Sequence, residues 1–310
     1  KGMIVLDKTP FYGEKGGQVG DKGTLFHKSA TFSVSDTKIP FEGVIAHIGT
    51  LNEGALILGE PVTAEIDRAR RSEIEKHHSA THLLHFALQR VLGPHIRQAG
   101  SFLDENRLRF DFNHHKQVTK EEIREIETLI NEKIWDNTAV HTETKTLEEV
   151  QKIPEIKKFF GEKYGNKVRV VEIGDFSKEL CGGTHVKHLG SIGLFRIMKE
   201  GSQAKGVRRI EAVLGKEAEK LRYQSEDHTE EMASLLKTTP HKFEEALKTL
   251  LKTNKELKQT ALLQRQKELF ELEKKLFDQV KTVGSIAFLS ANVDLSSKEL
   301  LDLSDSLLKK

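Results

Sequence analysis

Short runs of alternating apolar and polar residues dominate the first part of the chain. Residues 31–34 and 43–48 are two such runs, and glycine-rich turns separate them from their neighbours. A period of two residues is typical of strands that bury one face. We therefore predict that residues 1–68 form a small β-barrel.

Helical and strand patterns alternate between residues 69 and 215. The first helix is predicted to end near Gly93-Pro94. Thr119 and Thr146 each precede a glutamate by three residues, and this capping-box spacing predicts two helix starts, the second helix being interrupted by Pro154. Helices packed on an antiparallel sheet predict an α+β domain over residues 69–215. Strands are predicted at residues 108–112, 168–173, 194–198 and 208–213.

After residue 215 the apolar residues follow a coiled-coil spacing. One recurs every seven positions, at Leu236, Phe243, Leu250 and Leu257. Because Pro240 divides the segment, we predict an antiparallel helical hairpin over residues 216–282. Residues 283–310 are predicted to begin another globular domain. Since Met3 lies inside an apparent strand, we expect the chain to be a fragment of a longer protein.

The composition is that of an ordinary soluble protein. The 310 residues carry a formal charge of +2 with 31% charged side chains, so a nucleic-acid partner is neither demanded nor excluded. A single cysteine rules out an internal disulfide and fits a reducing cytoplasm. No apolar run approaches the ~18 residues that a membrane span needs. We expect a cytoplasmic protein with no membrane partner.

Three histidines and the only cysteine fall into two pairs with metal-ligand spacing. The pairs are His78 with His82 and Cys181 with His185, each four residues apart. On a helix, positions i and i+4 share a face, so both members of the first pair can point into one cavity while the opposite face packs in a core. The pattern predicts a Zn²⁺ site that both segments build.

Two questions about this site stay open at the level of sequence. His77 falls near the apolar side of the helix and is predicted to be structural, whereas His85 shares the ligand face and is either a partner of a ligand or a substitute ligand. If all four predicted ligands bind at once, the site is closed and structural. If one of them, such as His185, is displaced, the metal keeps an open position for catalysis.

Six ordered motifs resemble the editing domain of the alanyl-tRNA synthetase family. Two of them are His78-Ser79-Ala80-Thr81-His82 and Leu180-Cys181-Gly182-Gly183-Thr184-His185. The others lie at residues 9–18, 98–101, 108–112 and 206–211. The editing domains of threonyl-tRNA synthetases share only the paired histidines and the Cys-His element, so they are the weaker match.

The resemblance implies hydrolysis of mischarged Ser-tRNA(Ala) and Gly-tRNA(Ala), with Zn²⁺ as cofactor and the acceptor end of tRNA(Ala) as partner. The parent enzyme attaches alanine to this tRNA using ATP. No segment resembles the class II synthetase catalytic domain, so we expect no aminoacylation from this chain. In the family, the C-terminal region also contributes a homodimer contact.

Further site residues follow from the same resemblance. Thr9 and Gln98 are candidates for recognising serine, and the loop between the second pair of ligands, Gly182, Gly183 and Thr184, is assigned to the catalytic site. No carboxylate near these motifs stands out as a general base. Phosphate contacts are assigned to the basic residues Arg70, Arg71, Lys205, Arg208 and Arg209.

Two other functions compete with the editing hydrolase. In the first, zinc only stabilises the fold and the domain binds tRNA without acting on it. In the second, the heptads of residues 216–282 make the chain an oligomerisation fragment. Release of serine from seryl-tRNA distinguishes the hydrolase from the binding module.

Overall fold

The chain combines helices with antiparallel sheets, as its hydrophobic pattern predicts. The computed structural model describes residues 1–153, 156 and 166–309. Within these residues lie four antiparallel sheets and six α-helices. The chain divides into two compact units, Lys1–Gln224 and Ser225–Lys310.

The first sheet contains five strands in the order β1-β4-β3-β2-β5. Its core holds Phe11 and the inward side chains of alternate strand positions, among them Leu25, Phe32 and Val34. Strands β1 and β5 lie at the two ends of the order, and closure into a barrel stays a prediction. The strands are β1 (Gly2–Val5), β2 (Gly23–His27), β3 (Ala30–Phe41), β4 (Val44–Glu53) and β5 (Thr63–Ile66).

A mixed region of helices and strands follows the first sheet. Its elements are α1 (Arg68–Leu92), β6 (Gln98–Leu103), β7 (Leu108–Asn113), α2 (Lys120–Trp135), β8 (Val140–Thr146), α3 (Leu147–Gln151), β9 (Lys167–Ile173), β10 (Ser177–Leu180), β11 (Phe195–Ala204) and β12 (Val207–Leu214). Both predicted capping boxes form, at Thr119 and Thr146. The predicted helices and strands are confirmed, except that Pro154 lies outside the described residues. Strands β6, β8 and β10 were not predicted.

The main core lies between α1, α2 and the sheet ordered β11-β12-β7-β6. Alternate residues of β7 point to this core, so Phe110 and Phe112 are fully buried. Leu84 of α1 and Ile130 of α2 pack against the same sheet face. The burial of two amphipathic helices on one face therefore fixes α1, which carries the first two predicted ligands.

A three-stranded sheet, ordered β10-β9-β8, delivers the second pair of predicted ligands. Its own small core contains Val168, Val170 and Leu180, together with Val150 of α3. The Cys181 N–H donates to the Arg169 carbonyl at 3.0 Å. Residue 181 is thereby held to β9 immediately after β10 ends.

Two polar side chains of α2 bind the edge strand β11. Asn131 accepts a hydrogen bond from the Phe195 N–H at 2.8 Å and donates to the Phe195 carbonyl at 3.1 Å. Glu127 accepts from the Ile197 N–H at 2.6 Å. Both side chains are buried. They satisfy backbone groups of a strand that has a neighbouring strand on only one side.

The last part of the chain is mainly helical. Its elements are α4 (Gly215–Leu235), α5 (Phe243–Phe277), β13 (Lys281–Val283), β14 (Ile286–Phe288) and α6 (Ser297–Leu308). Pro240 lies between α4 and α5, as predicted. Helix α6 contacts α5 through an ion pair in which Arg265 Nε lies 2.7 Å from Glu299 Oε1. Leu250 and Leu257 are exposed, so the packing of the predicted helical seam stays a prediction.

Helix α5 contains 35 residues and carries charged side chains along its whole length. A bilayer span requires roughly 20 predominantly apolar residues. Among the described residues, no helix is both long enough and apolar enough to cross a membrane.

Replacing Asn131 by alanine tests the contact between α2 and β11. The change leaves the N–H and carbonyl groups of Phe195 without their side-chain partner, and each buried group left unpaired costs about 1–3 kcal/mol. We expect a fall of at least ~1 kcal/mol in the free energy of unfolding, measured by denaturant titration. The control is Glu132→Ala on the exposed face of the same helix, which should change stability by less than ~0.5 kcal/mol. Equal stability of the two variants would contradict the assigned role.

Candidate metal centre

Helix α1 brings two imidazoles into the interior of the first unit. The Asp67 side chain caps its start by accepting from the Arg70 N–H, and Gly93 follows its end. Both His78 and His82 are buried, with 6% and 3% of their surfaces exposed. Since the opposite face of the helix contributes Ala80 to the main core, packing determines the direction in which these imidazoles point.

A tight approach of backbone to imidazole holds the second segment against the helix. A Cβ atom at Gly183 would lie 1.9 Å from His78 Cε1, whereas one at Gly182 would meet nothing within 4 Å. Only a residue without a side chain fits at the first of these positions. The carbonyl of Gly183 also accepts a hydrogen bond from Arg169.

The four predicted ligands converge on one point. One donor atom from each of His78, His82, Cys181 and His185 lies within 4.8 Å of the other three. The Cys181 sulfur lies 3.2 Å from His78 Nε2 and 3.4 Å from His185 Nε2. Two segments about a hundred residues apart therefore supply three nitrogens and one sulfur to a single centre, and this group could hold a metal ion.

Each imidazole has a partner at its other ring nitrogen. His78 Nδ1 lies 2.7 Å from Gln18 Oε1, and His185 Nδ1 lies 3.1 Å from Ser79 Oγ. His82 Nδ1 lies 2.6 Å from a carboxylate oxygen of Glu179. These partners direct the three Nδ1 atoms away from the centre. Such outer contacts fix ring orientation in metal sites, so the arrangement fits an ion bound through the Nε2 atoms.

Gln18 is itself held in place by the second segment. Its Nε2 donates to Thr184 Oγ1 at 2.9 Å, and its Oε1 accepts from the Thr184 N–H at 2.9 Å. The Gln18 side chain is fully buried. Thr184, which the sequence assigns to the catalytic site, is therefore linked through Gln18 to His78.

The protonation states favour metal binding at two of the four positions. Burial alone would raise the pKa of the Cys181 thiol, but the charge of His78 and hydrogen bonds from the imidazoles outweigh it and hold this pKa well below its ordinary value. Burial and the charge of His78 lower the pKa of His185 to about 3. A thiolate and a neutral imidazole are the forms that bind a metal.

His82 has the opposite electrostatic environment. Burial alone would lower its pKa, but the negative charges of Glu179 and Cys181 raise it to about 10. The Glu179 carboxyl has a lowered pKa because its attraction to His82 outweighs its own burial. A metal bound at this position must therefore displace a proton from His82.

A cavity of about 610 Å³ opens beside the centre. Three of the four converging residues, His78, His82 and Cys181, contribute to its wall. Gln98 also lines it, as do the backbones of two glycine-rich segments, residues 16–17 and 182–183. The volume is in the range of pockets that hold small molecules.

Thr9 lies outside the set of residues that line this cavity. Its hydroxyl oxygen is 2.7 Å from His47 Nε2 and accepts a hydrogen bond from the Phe11 N–H at 3.1 Å. Phe11 is one of the residues that line the cavity. Thr9 is therefore connected to the cavity wall through its neighbour Phe11.

Most of the predicted phosphate contacts have acidic partners inside the protein. Arg208 binds Glu200 through two hydrogen bonds of 2.5 and 2.6 Å, and Arg209 binds Asp111 through two of 2.7 and 2.8 Å. Lys205 is exposed. The remaining two pairs are Arg70 with Glu105 and Arg71 with Asp21.

Sequence reasoning missed Glu179 as a member of the site. Glu179 and Cys181 are two residues apart along an extended stretch of chain, so their side chains point to the same side. That spacing was available in the sequence, but it could not reveal the pairing with His82. His85, left open as a ligand or a partner, has its Nδ1 atom 3.0 Å from Glu179 Oε1. His77 bonds the Glu73 carbonyl at 2.9 Å within its own helix.

Comparison with known proteins gives matches over nearly the whole chain. A family model described as threonyl and alanyl tRNA synthetase second additional domain matches residues 168–211. A second, described as tRNA synthetases class II (A), matches residues 1–70. The second match places residues 1–70 in a class II synthetase model, although we expected no segment to resemble the class II catalytic domain.

Three curated relatives are alanine–tRNA ligases. The one from Chlamydia caviae is 44% identical over 290 residues, which are 93% of this chain and 33% of that protein. The one from Acidithiobacillus ferridurans is 41% identical, over 99% of this chain and 35% of the relative. The one from Ruthia magnifica is 42% identical, over 100% of this chain and 36% of the relative. The chain thus spans about a third of the length of these relatives.

Substituting the two adjacent glycines separately tests the geometry of the centre. Gly183→Ala places a methyl group against the His78 ring, so we expect this variant to lose bound metal, measured as zinc per chain after dialysis against zinc and gel filtration. Gly182→Ala adds the same methyl group where space is open and should retain metal like the unaltered protein. The geometry would be contradicted if only Gly182→Ala lost metal, or if both variants retained it.

Proposed function

This chain belongs to the alanine–tRNA ligase family, and we propose that it hydrolyses the ester bond in tRNA(Ala) mischarged with serine or glycine. Within it, residues 69–215 would be the deacylase domain and residues 1–68 a β-barrel that closes one side of the cavity. The family model that covers residues 168–211 supports this assignment. The whole parent protein would attach alanine to the same tRNA with ATP, in the cytoplasm.

The chemistry of alanine selection gives a reason for such an activity. A pocket shaped for alanine discriminates poorly against glycine, which lacks one methyl group, and against serine, which adds one hydroxyl. Contacts of this kind give only about 10- to 200-fold discrimination. A second site that hydrolyses the wrong products supplies the remaining accuracy.

The position of the metal centre in the cavity wall is the observation that best supports hydrolysis. A closed structural site is surrounded by protein, whereas three of these four residues line a cavity of about 610 Å³. That cavity has room for an aminoacyl group and its terminal nucleoside. A bound ion would therefore be next to the ester of a tRNA acceptor end.

We assign Zn²⁺ to the centre because its donors are three imidazole nitrogens and one thiolate sulfur. This combination suits zinc better than Mg²⁺ or Ca²⁺, which prefer oxygen ligands. Once one of the four donors, such as His185, leaves the ion and opens a position, zinc would polarise a carbonyl or lower the pKa of a bound water molecule to ~7. The protein's own residues would orient the ester and exclude bulk water.

Serine recognition requires a polar group in the wall that alanine would leave unpaired. Gln98 is our candidate because it lines the cavity; its Nε2 donates to Ser101 Oγ at 3.2 Å, which orients the amide, and its Oε1 would accept from the serine hydroxyl. A buried polar group without a partner costs about 1–3 kcal/mol. Thr9 would act indirectly, by fixing Phe11. The glycines at 182 and 183 would give the amino acid close access to the backbone.

The acceptor end of the tRNA would reach the cavity past basic side chains. Lys15, Lys167 and Arg169 belong to the lining, and the first two are exposed. We propose them as phosphate contacts nearest the ester. Lys205, Arg208, Arg209, Arg70 and Arg71 remain candidates farther along the RNA, although ion pairs inside the protein occupy all of these except Lys205.

A zinc-stabilised module for tRNA binding and dimerisation is the second candidate function. It is favoured by exposed leucines on α5, including Leu250, Leu257 and Leu262, which are 50–64% exposed. These would pack in a coiled-coil hairpin or against a second copy of the chain. The two candidates differ in one property, because a passive module binds mischarged tRNA without releasing its amino acid.

Release of serine from Ser-tRNA(Ala) tests the hydrolase proposal. The chain should deacylate this substrate faster than buffer alone, and Cys181→Ala should lose both zinc and activity because one of the four donors is removed. Glu132→Ala, an exposed change on α2, should behave like the unaltered chain. Tight binding of Ser-tRNA(Ala) with no release by the zinc-loaded chain would favour the passive module.

The salt dependence of tRNA binding tests the proposed phosphate contacts. Replacing Lys15 and Lys167 together by alanine should weaken binding, and it should flatten the plot of log K against log salt by about 0.7 for each phosphate that is no longer neutralised. The control removes the same charge elsewhere, with Lys120→Ala and Lys216→Ala. An equal change in slope for both pairs would mean that net charge, and not the mouth of the cavity, determines binding.

A further inference from the structure

Glu179 is a buried carboxylate in the wall of the cavity, and the proposed hydrolysis gives it no role. Only 1% of its surface is exposed, and it lies on β10, two residues before Cys181. Burying a charged carboxylate is costly unless other charges or hydrogen bonds compensate for the lost hydration. Its presence beside four metal-competent groups therefore calls for a compensating partner.

Both oxygens of Glu179 face histidines of α1. Oε2 lies 2.6 Å from His82 Nδ1, and Oε1 lies 3.0 Å from His85 Nδ1. His85 in turn lies 3.2 Å from the amide of Gln89, which donates to the Ile96 carbonyl at 2.9 Å. Glu179 is thus held on two sides, and its position relative to His82 is fixed by the helix and by the segment that follows it.

The partner of His82 differs in charge from the partners of the other two imidazoles. His78 faces the amide oxygen of Gln18, and His185 faces the hydroxyl of Ser79. Glu179 alone among these three partners carries a negative charge. His82 is therefore the one imidazole of the centre whose outer partner is a carboxylate.

We propose that Glu179 is the positioning residue of this centre. It holds the His82 ring, through its contact with Nδ1, so that Nε2 faces the metal. Outer-shell carboxylates of metal-bound histidines typically contribute 10- to 100-fold in metal affinity. The inference rests on the proposed metal site and is independent of the proposed hydrolysis, because ion binding is measured directly.

The affinity of the full chain for Zn²⁺ tests this role. Competition with a chromophoric chelator should show Glu179→Gln to bind zinc 10- to 100-fold more weakly than the unaltered chain. Ser79→Ala, which removes the uncharged partner of His185, should lose less affinity for Zn²⁺ than Glu179→Gln does. Binding of Zn²⁺ by Glu179→Gln within twofold of the unaltered value would overturn the proposal, and so would a larger loss for Ser79→Ala.

A second measurement does not depend on how well the variant folds. In the zinc-loaded, unaltered chain, nitrogen NMR of His82 should report a protonated Nδ1 and a metal-bound Nε2, with the Nδ1 proton protected from exchange by Glu179. Coordination of zinc through His82 Nδ1 would contradict the proposal even if serine release proceeds. Conversely, the expected NMR signature together with no serine release would support the positioning role of Glu179 and contradict the proposed hydrolysis.

Discussion

The site depends on the close contact between one helix and one glycine loop. Helix α1 presents His78 and His82, and the loop presents Cys181 and His185, so the centre forms only when these segments touch. The absence of a side chain at Gly183 permits that contact, because any Cβ atom there would overlap the His78 ring. Gln18 then joins the two segments by bonding both His78 and Thr184.

The two sheets around the centre position different ligands. The four-stranded sheet packs against α1 and α2, and this determines the direction of the imidazoles. The three-stranded sheet places Glu179 and Cys181 at the end of β10, with the Cys181 N–H bound to β9. The three-stranded sheet is packed on both sides, because Val168 and Val170 of β9 lie in its own small core while Val171 and Ile173 join the main core. This packing orients the donors on both segments before an ion binds, which reduces the conformational entropy lost on binding.

Periodicity and local chemistry account for what could be predicted from the sequence. The spacing of apolar residues identified α1 and α2, and the Thr119 and Thr146 capping boxes located two helix starts. The spacing of histidines and cysteine identified the centre. The pairing of strands could not be predicted from local sequence in the same way. Arg209 bonds Asp111 because β12 and β7 place these two residues opposite each other, and that register is a property of the folded sheet.

The partners of the ligands were hidden for the same reason. Glu179 meets His82 only after β10 packs beside α1, and the sequence separates them by almost a hundred residues. β8 was missed because its residues, Val140–Thr146, are mostly polar and exposed, so they lack the alternation that marks a half-buried strand. Local pattern thus predicted elements and ligands, whereas tertiary contact determined how the ligands are oriented.

X-ray absorption at the zinc edge of the loaded chain tests the central claim most directly. Convergence of three imidazoles and one thiolate predicts one sulfur neighbour at ~2.3 Å and three nitrogen neighbours at ~2.0–2.1 Å. A spectrum with no sulfur neighbour would show that Cys181 does not share an ion with the histidines, and it would contradict the account of the centre.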